Sequence, residues 1–226
     1  MQILKQMLVQ TIGFFALFAL ALFLPAGTLT WTAGWVFLAL FFGFFIAMNT
    51  WLFRHNPGLL EERMKLSRPD QKGWDKLLFP LLLVFSIAWL VFMALDAVRF
   101  HWSQVPEWLQ GIGVMILLCS FYLLFLTFRE NSYLSTVVRI QEERGQKVIS
   151  TGPYHYVRHP MYAAILLFVV GTSMLLGSLY GVLVGLVFMI VLARRAVLEE
   201  RTLQQELPGY AAYMGQVKYH LIPFVW

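Results

Sequence analysis

The residues best suited to chemistry form two polar clusters that flank a long apolar run. The first cluster, residues 141–162, reads QEERGQKVISTGPYHYVRHPMY, and the second, residues 193–217, reads ARRAVLEERTLQQELPGYAAYMGQV. Their histidines, carboxylates, arginines and tyrosines can move protons, bind anions and hold cations over aromatic rings. If the apolar run between them turned back on itself, the two clusters would meet and could form one site.

Two prolines make the first cluster rigid. Proline fixes its own φ at about −65° and moves the preceding residue away from helical angles, so Pro153 and Pro160 predict a stiff loop. Pro160 also suits the first turn of a following helix. An interfacial anchor is the competing interpretation, since tyrosines and basic residues collect at membrane surfaces.

We expect no metal site at the histidines of this cluster. His155 and His159 are four residues apart, but Pro160 argues against a helix that carries both. No HExxH pattern or cysteine pair accompanies them. His155 is therefore predicted to face solvent.

The second cluster places charges where a helix would gather them. Arg195 and Glu199 are spaced i and i+4, so on a helix they share one face, with Glu200 beside them. A surface ion pair at a helix exit would explain the same spacing and would contribute only about 0.2–0.5 kcal/mol. We favour a site, because ionisable groups at a membrane rim next to a second polar cluster are functional candidates.

The composition places these clusters in a membrane protein. The 226 residues are 59% hydrophobic and only 13% charged, against roughly one quarter charged in soluble domains. An all-α, polytopic transmembrane bundle is the fold class this predicts. We assign the formal net charge of +5 to membrane topology and not to nucleic-acid binding. Cys119 is the single cysteine, which excludes a disulfide framework.

Five apolar runs reach the length of about 18 residues that crosses a bilayer. They cover residues 7–24, 31–53, 77–98, 108–128 and 161–193. The last would extend about 50 Å as one helix, whereas the hydrocarbon core is about 30 Å thick. Its centre, LGSLYG at residues 176–181, can turn the chain. We therefore predict about six membrane segments, of which the last two form a tight helical hairpin.

The basic residues predict the orientation of these segments. Cytoplasmic loops collect Lys and Arg, and a cytoplasmic N-terminus places all 17 of them except Arg99 on that side. Both termini and both clusters would then be cytoplasmic. The first run is longer than the roughly 7–15 apolar residues of a signal peptide, so we expect it to be retained. We divide the chain into N-terminal transmembrane helices, residues 1–128, and a core of cofactor loop, hairpin and C-terminal amphipathic helix, residues 129–226.

The motifs of the C-terminal half resemble a known family. They are Gly152-Pro153-Tyr154, Arg158-His159-Pro160-x-Tyr162, Glu199-Glu200 and Tyr210-x-x-Tyr213. This pattern is similar to that of the isoprenylcysteine carboxyl methyltransferase family and its phospholipid methyltransferase relatives, which are integral membrane enzymes that use S-adenosylmethionine without a Rossmann fold. The similarity covers residues 137–226. The tail departs from it, since Lys218 and His220 stand where relatives often carry arginines.

The resemblance implies a set of contacts to S-adenosylmethionine as the cofactor. These are Gln141, Gln146, Lys147, Val148, Ile149, Tyr154, His159, Pro160, Met161, Tyr162 and Glu199. It also implies that Arg195 meets the methyl acceptor. The residue types agree with the ligand, because a sulfonium, an ammonium and a carboxylate require an anion, aromatic faces and amide or cationic donors.

The residues leave the acceptor open. A carboxylate is nucleophilic at pH 7 and needs only a cation to orient it, for which Arg195 is suited by bidentate pairing. An amine, as in a phospholipid headgroup, needs a base, for which Glu200 is the candidate. We expect a hydrophobic acceptor that enters from the lipid bilayer, a monomeric enzyme and no nucleic-acid partner. A small transporter or assembly protein is the alternative, although transporters usually carry ionisable groups in mid-membrane.

Overall fold

The apolar runs form helices because the backbone of a membrane segment must satisfy its hydrogen bonds internally. The computed structural model describes residues 2–226, and within that range it contains helices and loops but no strand. The long helices are α1 (Gln2–Ala26), α2 (Thr32–His55), α4 (Gly73–Ala94), α5 (Glu107–Glu130), α6 (Pro160–Leu175) and α7 (Leu179–Glu206). The short helices are α3 (Pro57–Arg63) and α8 (Tyr210–Gln216), and a π-helical turn, Leu95–Phe100, extends α4.

Among the described residues, five helices are long and apolar enough to cross a membrane, and α6 is a shorter apolar helix. The predicted polytopic bundle is confirmed.

The hairpin predicted from the length of the fifth run is present as α6 and α7. The chain turns at residues 176–178, and Ser178 caps α7 by accepting a hydrogen bond from the backbone N–H of Gly181 at 2.8 Å. The two arms are unequal, since α6 has 16 residues and α7 has 28. The longer arm continues past the apolar run, so the second polar cluster begins on the same helix.

Two glycines bring α5 and α6 into backbone contact. A Cβ on Gly113 would lie 2.6 Å from the backbone nitrogen of Leu175, and a Cβ on Gly171 would lie 2.7 Å from that of Leu117. Small residues allow this approach between membrane helices. The two helices joined by the 131–159 loop, which carries the first polar cluster, are therefore packed closely against each other.

The long polar connections collect at one end of the bundle. The backbone N–H of Lys72 donates to the carbonyl of Val138 at 3.0 Å, and that of His159 donates to the carbonyl of His220 at 2.9 Å. The loops 64–72 and 131–159 and the C-terminal tail are therefore packed together. At the opposite end the connections are short, and buried Asp96 accepts hydrogen bonds from Ser103 and Ser178. The two polar clusters thus lie at the same end, as the hairpin requires.

Candidate functional site

A cleft lies at the polar end, between the 131–162 segment and the last turns of α7 with α8. Of the residues predicted from the sequence, it is lined by Gln146, Lys147, Val148, Ile149, Tyr154, His159, Pro160, Met161, Tyr162, Arg195 and Glu199. Arg139, Arg158, Tyr210 and Tyr213 also line it. Two predicted residues, Gln141 and Glu200, are not among its walls. His155 is exposed, in agreement with the solvent-facing position predicted for it.

Tyr154 is fixed on the wall of the cleft through its side-chain hydroxyl and its backbone carbonyl. Its hydroxyl accepts a hydrogen bond from Asn131 Nδ2 at 2.8 Å, and its carbonyl accepts one from the hydroxyl of Tyr213 at 2.7 Å. Burial raises the pKa of Tyr154 well above its ordinary value. The phenol is therefore neutral at pH 7 and offers a ring face and no charge.

Arg195 and Glu199 are joined through a third residue. Tyr162, which is 1% exposed, accepts a hydrogen bond from Arg195 Nη1 at 2.8 Å and donates its own proton to Glu199 Oε2 at 2.7 Å. The i, i+4 spacing therefore produces a hydrogen-bonded chain and no direct ion pair. One hydroxyl orients the carboxylate of Glu199 along the wall of the cleft.

Asp75 is the partner of Arg195 that the sequence did not identify. Arg195 Nε donates to Asp75 Oδ1 at 2.9 Å, and Nη2 donates to the carbonyl of Thr136 at 3.0 Å. The other carboxylate oxygen of Asp75 accepts from Gln71 and from the backbone of Val138. One feature of the sequence could have indicated this role. Asp75 is the only carboxylate in the first turn of the apolar helix α4, and ionisable groups at such positions are usually paired or functional. Three of the five N–H donors of Arg195 are thus engaged, so the bidentate acceptor contact predicted for it would use the two that remain, one on each Nη.

Glu200, predicted as the base for an amine acceptor, lies outside the lining of the cleft. Its carboxylate pairs with the guanidinium of Arg158, whose Nη1 also donates to the carbonyls of Val217 at 2.7 Å and Lys218 at 3.0 Å. Glu200 therefore ties the first cluster to the C-terminal tail and is not positioned as a base toward the cleft. Lys218 contributes its backbone carbonyl to this junction.

His159 and His220 complete the surroundings of Glu200. Their ring nitrogens lie 3.8 Å and 3.3 Å from its carboxylate oxygens. The three groups are close enough to hold a metal ion, with candidate ligand atoms within 4.8 Å of one another. The guanidinium of Arg158 already occupies the carboxylate, however, so a cation there would face a fixed positive charge.

Gln141 supports the cleft from behind. It is 1% exposed, its Nε2 donates to the carbonyl of Tyr133 at 2.6 Å, and its Oε1 accepts from Arg144. Its backbone N–H donates to Gln146 Oε1 at 2.8 Å. The sequence predicted a cofactor contact for Gln141, whereas in the structure its side chain holds the loop and is not among the residues that line the cleft.

Glu62 holds the same loop from α3. Its carboxylate accepts hydrogen bonds from Arg139 Nε at 3.0 Å, from Ser135 at 3.0 Å and from Arg68. Burial alone would raise the pKa of Glu62, but the hydrogen bonds from Arg139 and Arg68 outweigh it and lower that pKa to about 2. The sequence of α3 could not predict this role, because Glu61 and Glu62 are adjacent acidic residues and nothing in the sequence indicates that only Glu62 is buried.

Two apolar cavities adjoin the inner side of the cleft. The first, of about 350 Å³, is lined by Phe79, Trp89, Phe188 and other apolar residues, and it shares Met161, Tyr162 and Arg195 with the cleft. The second, of about 340 Å³, lies against Met48, Phe121 and Phe128. Polar and apolar spaces therefore meet at the first turn of α6.

Comparison with known proteins agrees with this arrangement. Residues 108–208 match the family model described as phospholipid methyltransferase. No curated protein matches the chain. The matched region begins at α5 and ends beyond α7, and it contains every site residue that the sequence predicted. Over this region the chain is similar to the phospholipid methyltransferase family, in agreement with the resemblance of its motifs.

Proposed function

We propose that the protein transfers a methyl group from S-adenosylmethionine to a hydrophobic acceptor that resides in the membrane. The first candidate reaction is carboxyl O-methylation of the isoprenylcysteine type. The observation that carries the proposal is the wall shared by the cleft and the first apolar cavity, formed by Met161, Tyr162 and Arg195. A water-soluble donor on one side and a lipidic acceptor on the other would meet across these residues.

The residues of the cleft fit the chemistry of this cofactor. Glu199 supplies an anion for an ammonium or a sulfonium, and buried tyrosines supply ring faces that attract cations. Among the described residues, the backbone N–H groups of Lys147, Val148 and Ile149 have no hydrogen-bond partner. They are therefore available to a carboxylate or a nucleobase.

The protein's part in the reaction is alignment and the exclusion of water. When bound, S-adenosylmethionine would supply the methyl group in activated form, on a sulfonium that Glu199 and the buried tyrosines would face. Tyr162 holds Glu199 in one orientation, and the buried wall keeps water away from the reacting atoms. A carboxylate acceptor releases no proton, so this reaction requires no base.

Binding would widen the cleft. Its free volume is about 90 Å³, whereas pockets for ligands of this size usually exceed about 300 Å³. The 146–149 stretch has no helical hydrogen bonds to break, and it forms one wall. We expect it to move outward when the cofactor enters.

Phospholipid amine methylation is the second candidate, and the description of the matched family favours it. An amine is an ammonium at pH 7 and must lose a proton before its nitrogen can accept the methyl group. Because Glu200 is paired with Arg158, the carboxylate placed to accept that proton is Glu199, which lines the cleft. The two candidates therefore differ in whether turnover depends on a base.

Calorimetric titration of the detergent-solubilised protein with S-adenosylhomocysteine tests the donor assignment. We expect saturable binding that weakens by roughly tenfold or more in Glu199→Gln, because a charge-assisted contact contributes about 1.5–3 kcal/mol. Glu206→Gln, at the exposed end of the same helix, is the matched control and should bind normally. Well-folded protein without saturable binding would overturn the proposal.

A further inference from the structure

Arg63 is a cation at the junction of the two apolar cavities. It ends α3 and lines both of them. Its Nη1 donates to the carbonyl of Leu134 at 2.9 Å, and its guanidinium carbon lies 4.4 Å from the centre of the Phe128 ring. These contacts hold the side chain in place and leave its Nε and Nη2 nitrogens free of protein acceptors within the described part of the chain.

This cation has no anionic partner in the described residues. Its neighbour Glu62 is occupied by Arg68 and Arg139, and the nearby Arg195 is balanced by Asp75. Burial lowers the pKa of Arg63 to about 10, and the charge of Arg195 adds to that effect. The guanidinium is therefore still protonated at pH 7. Arg63 is half-buried, so its charge is only partly solvated and is stabilised when an anion joins it.

The two cavities lie next to each other and share part of their lining. Met161, Ile165 and Phe168 line both of them, so one face of α6 forms a wall that is common to the two cavities. At the rim of the first cavity, Leu83 is exposed on the outer surface of the bundle. That surface faces lipid when α4 crosses a bilayer. An apolar chain could therefore enter sideways while a polar group stays near the cleft.

We propose that Arg63 binds the anionic group of the methyl acceptor, and that the acceptor is an anionic lipid whose apolar part occupies these two cavities. This inference rests on the function proposed above and names the substrate class of that site. The anion is a carboxylate or a phosphate, both of which pair with a guanidinium fork. A carboxylate held here would itself receive the methyl group, and a phosphate would position a neighbouring amine.

The assignment moves acceptor recognition away from Arg195. Asp75, Tyr162 and Thr136 take three of the five N–H donors of Arg195, which is part of the wall, whereas Leu134 takes only one of the five of Arg63. Arg63 is thus a specificity-determining residue that the motifs of the C-terminal half do not contain.

Binding of three chain-matched probes tests the inference. Oleate, oleoyl lysophosphatidate and oleyl alcohol are titrated into the full chain in a neutral detergent, and the affinities are measured by calorimetry. We expect at least one anionic probe to bind more tightly than the alcohol, and the preferred anion distinguishes a carboxylate acceptor from a phosphate lipid. Arg63→Gln should lower the affinity for the anionic probe by roughly tenfold to a hundredfold and leave the affinity for the alcohol unchanged.

Three controls isolate the contribution of the Arg63 charge. Arg54→Gln, an exposed arginine near the end of α2, should retain the preference for the anion. Ile165→Trp should reduce binding of all three probes, because it fills both cavities. S-adenosylhomocysteine should bind Arg63→Gln as it binds the wild type. Loss of that binding would indicate a folding defect, and Arg63→Met, which also removes the charge, then takes the place of Arg63→Gln. Equal affinity of the wild type for charged and neutral probes would overturn the inference even if cofactor binding is normal.

Discussion

The Nε atom of Arg195 lies 2.9 Å from Oδ1 of Asp75, and this contact joins residues 120 positions apart. Asp75 is 0% exposed and Arg195 is 5% exposed. Removing one partner of a buried pair leaves the other charge uncompensated, which costs about 3–5 kcal/mol. We therefore expect Asp75→Asn to lower the free energy of unfolding in detergent by about that amount. Asp70→Asn, at an exposed carboxylate, should cost no more than about 1 kcal/mol. Equal effects of the two variants would contradict the structural role of Asp75.

Tyr162→Phe isolates the hydroxyl that connects Arg195 to Glu199. Without it Glu199 loses a fixed orientation, so we expect S-adenosylhomocysteine to bind about tenfold more weakly, which corresponds to about 1.4 kcal/mol. The measurement is calorimetric titration. Tyr180→Phe, an exposed position at the other end of α7, should bind like the wild type. Unchanged affinity in Tyr162→Phe would show that Glu199 is oriented by other contacts.

Gly113 and Gly111 form a matched pair on α5. A Cβ at Gly113 would lie 2.6 Å from the backbone nitrogen of Leu175, whereas one at Gly111 has no neighbour within 4 Å. We expect Gly113→Ala to destabilise the protein by about 1–3 kcal/mol, as overpacking usually does. Gly111→Ala should be neutral or slightly stabilising, because alanine is the better helix former. Thermal unfolding of both variants in the same detergent provides the comparison.

The lowered pKa of His220 leads us to expect that the stability of the protein depends on pH. Burial lowers its pKa below the ordinary value of 6.5, and Arg158 and His159 add to this while Glu200 opposes it. Protonation therefore favours the unfolded chain, so this contribution to stability is complete above about pH 6.5 and is lost as the pH falls through the folded pKa. We expect the unfolding midpoint to decrease between about pH 7 and 5, and His220→Gln to reduce that slope. His155→Gln, in an exposed position, should leave the slope unchanged.

The orientation in the membrane is also a prediction. Reporter fusions at Trp226 and within the loop near Gln141 should both report the cytoplasm, because basic residues collect at that end of the bundle. A fusion in the connection that contains His101 should report the opposite side. Cytoplasmic signals from both ends would rule out the crossing pattern derived from the helices.

The amino-acid sequence alone predicted the helices, the turn of the hairpin and the meeting of its two polar clusters. These features depend on local properties, namely the length of each apolar run, the helix-breaking residues at 176–178 and the count of basic residues between runs. The RHPxY and Glu-Glu motifs likewise pointed to five of the residues that line the cleft, namely Arg158, His159, Pro160, Tyr162 and Glu199. Each of these inferences uses residues close together in the chain.

Only the tertiary structure decided which charged side chains face the cleft. Glu199 and Glu200 are neighbours, but successive residues on a helix point about 100° apart, so one lines the cleft and the other pairs with Arg158. Asp75 reaches Arg195, Glu62 reaches Arg139 and Arg63 reaches the apolar cavities from helices that the motifs do not include. Spacing along the chain carries no information about such pairs, because they form only when separate helices pack side by side.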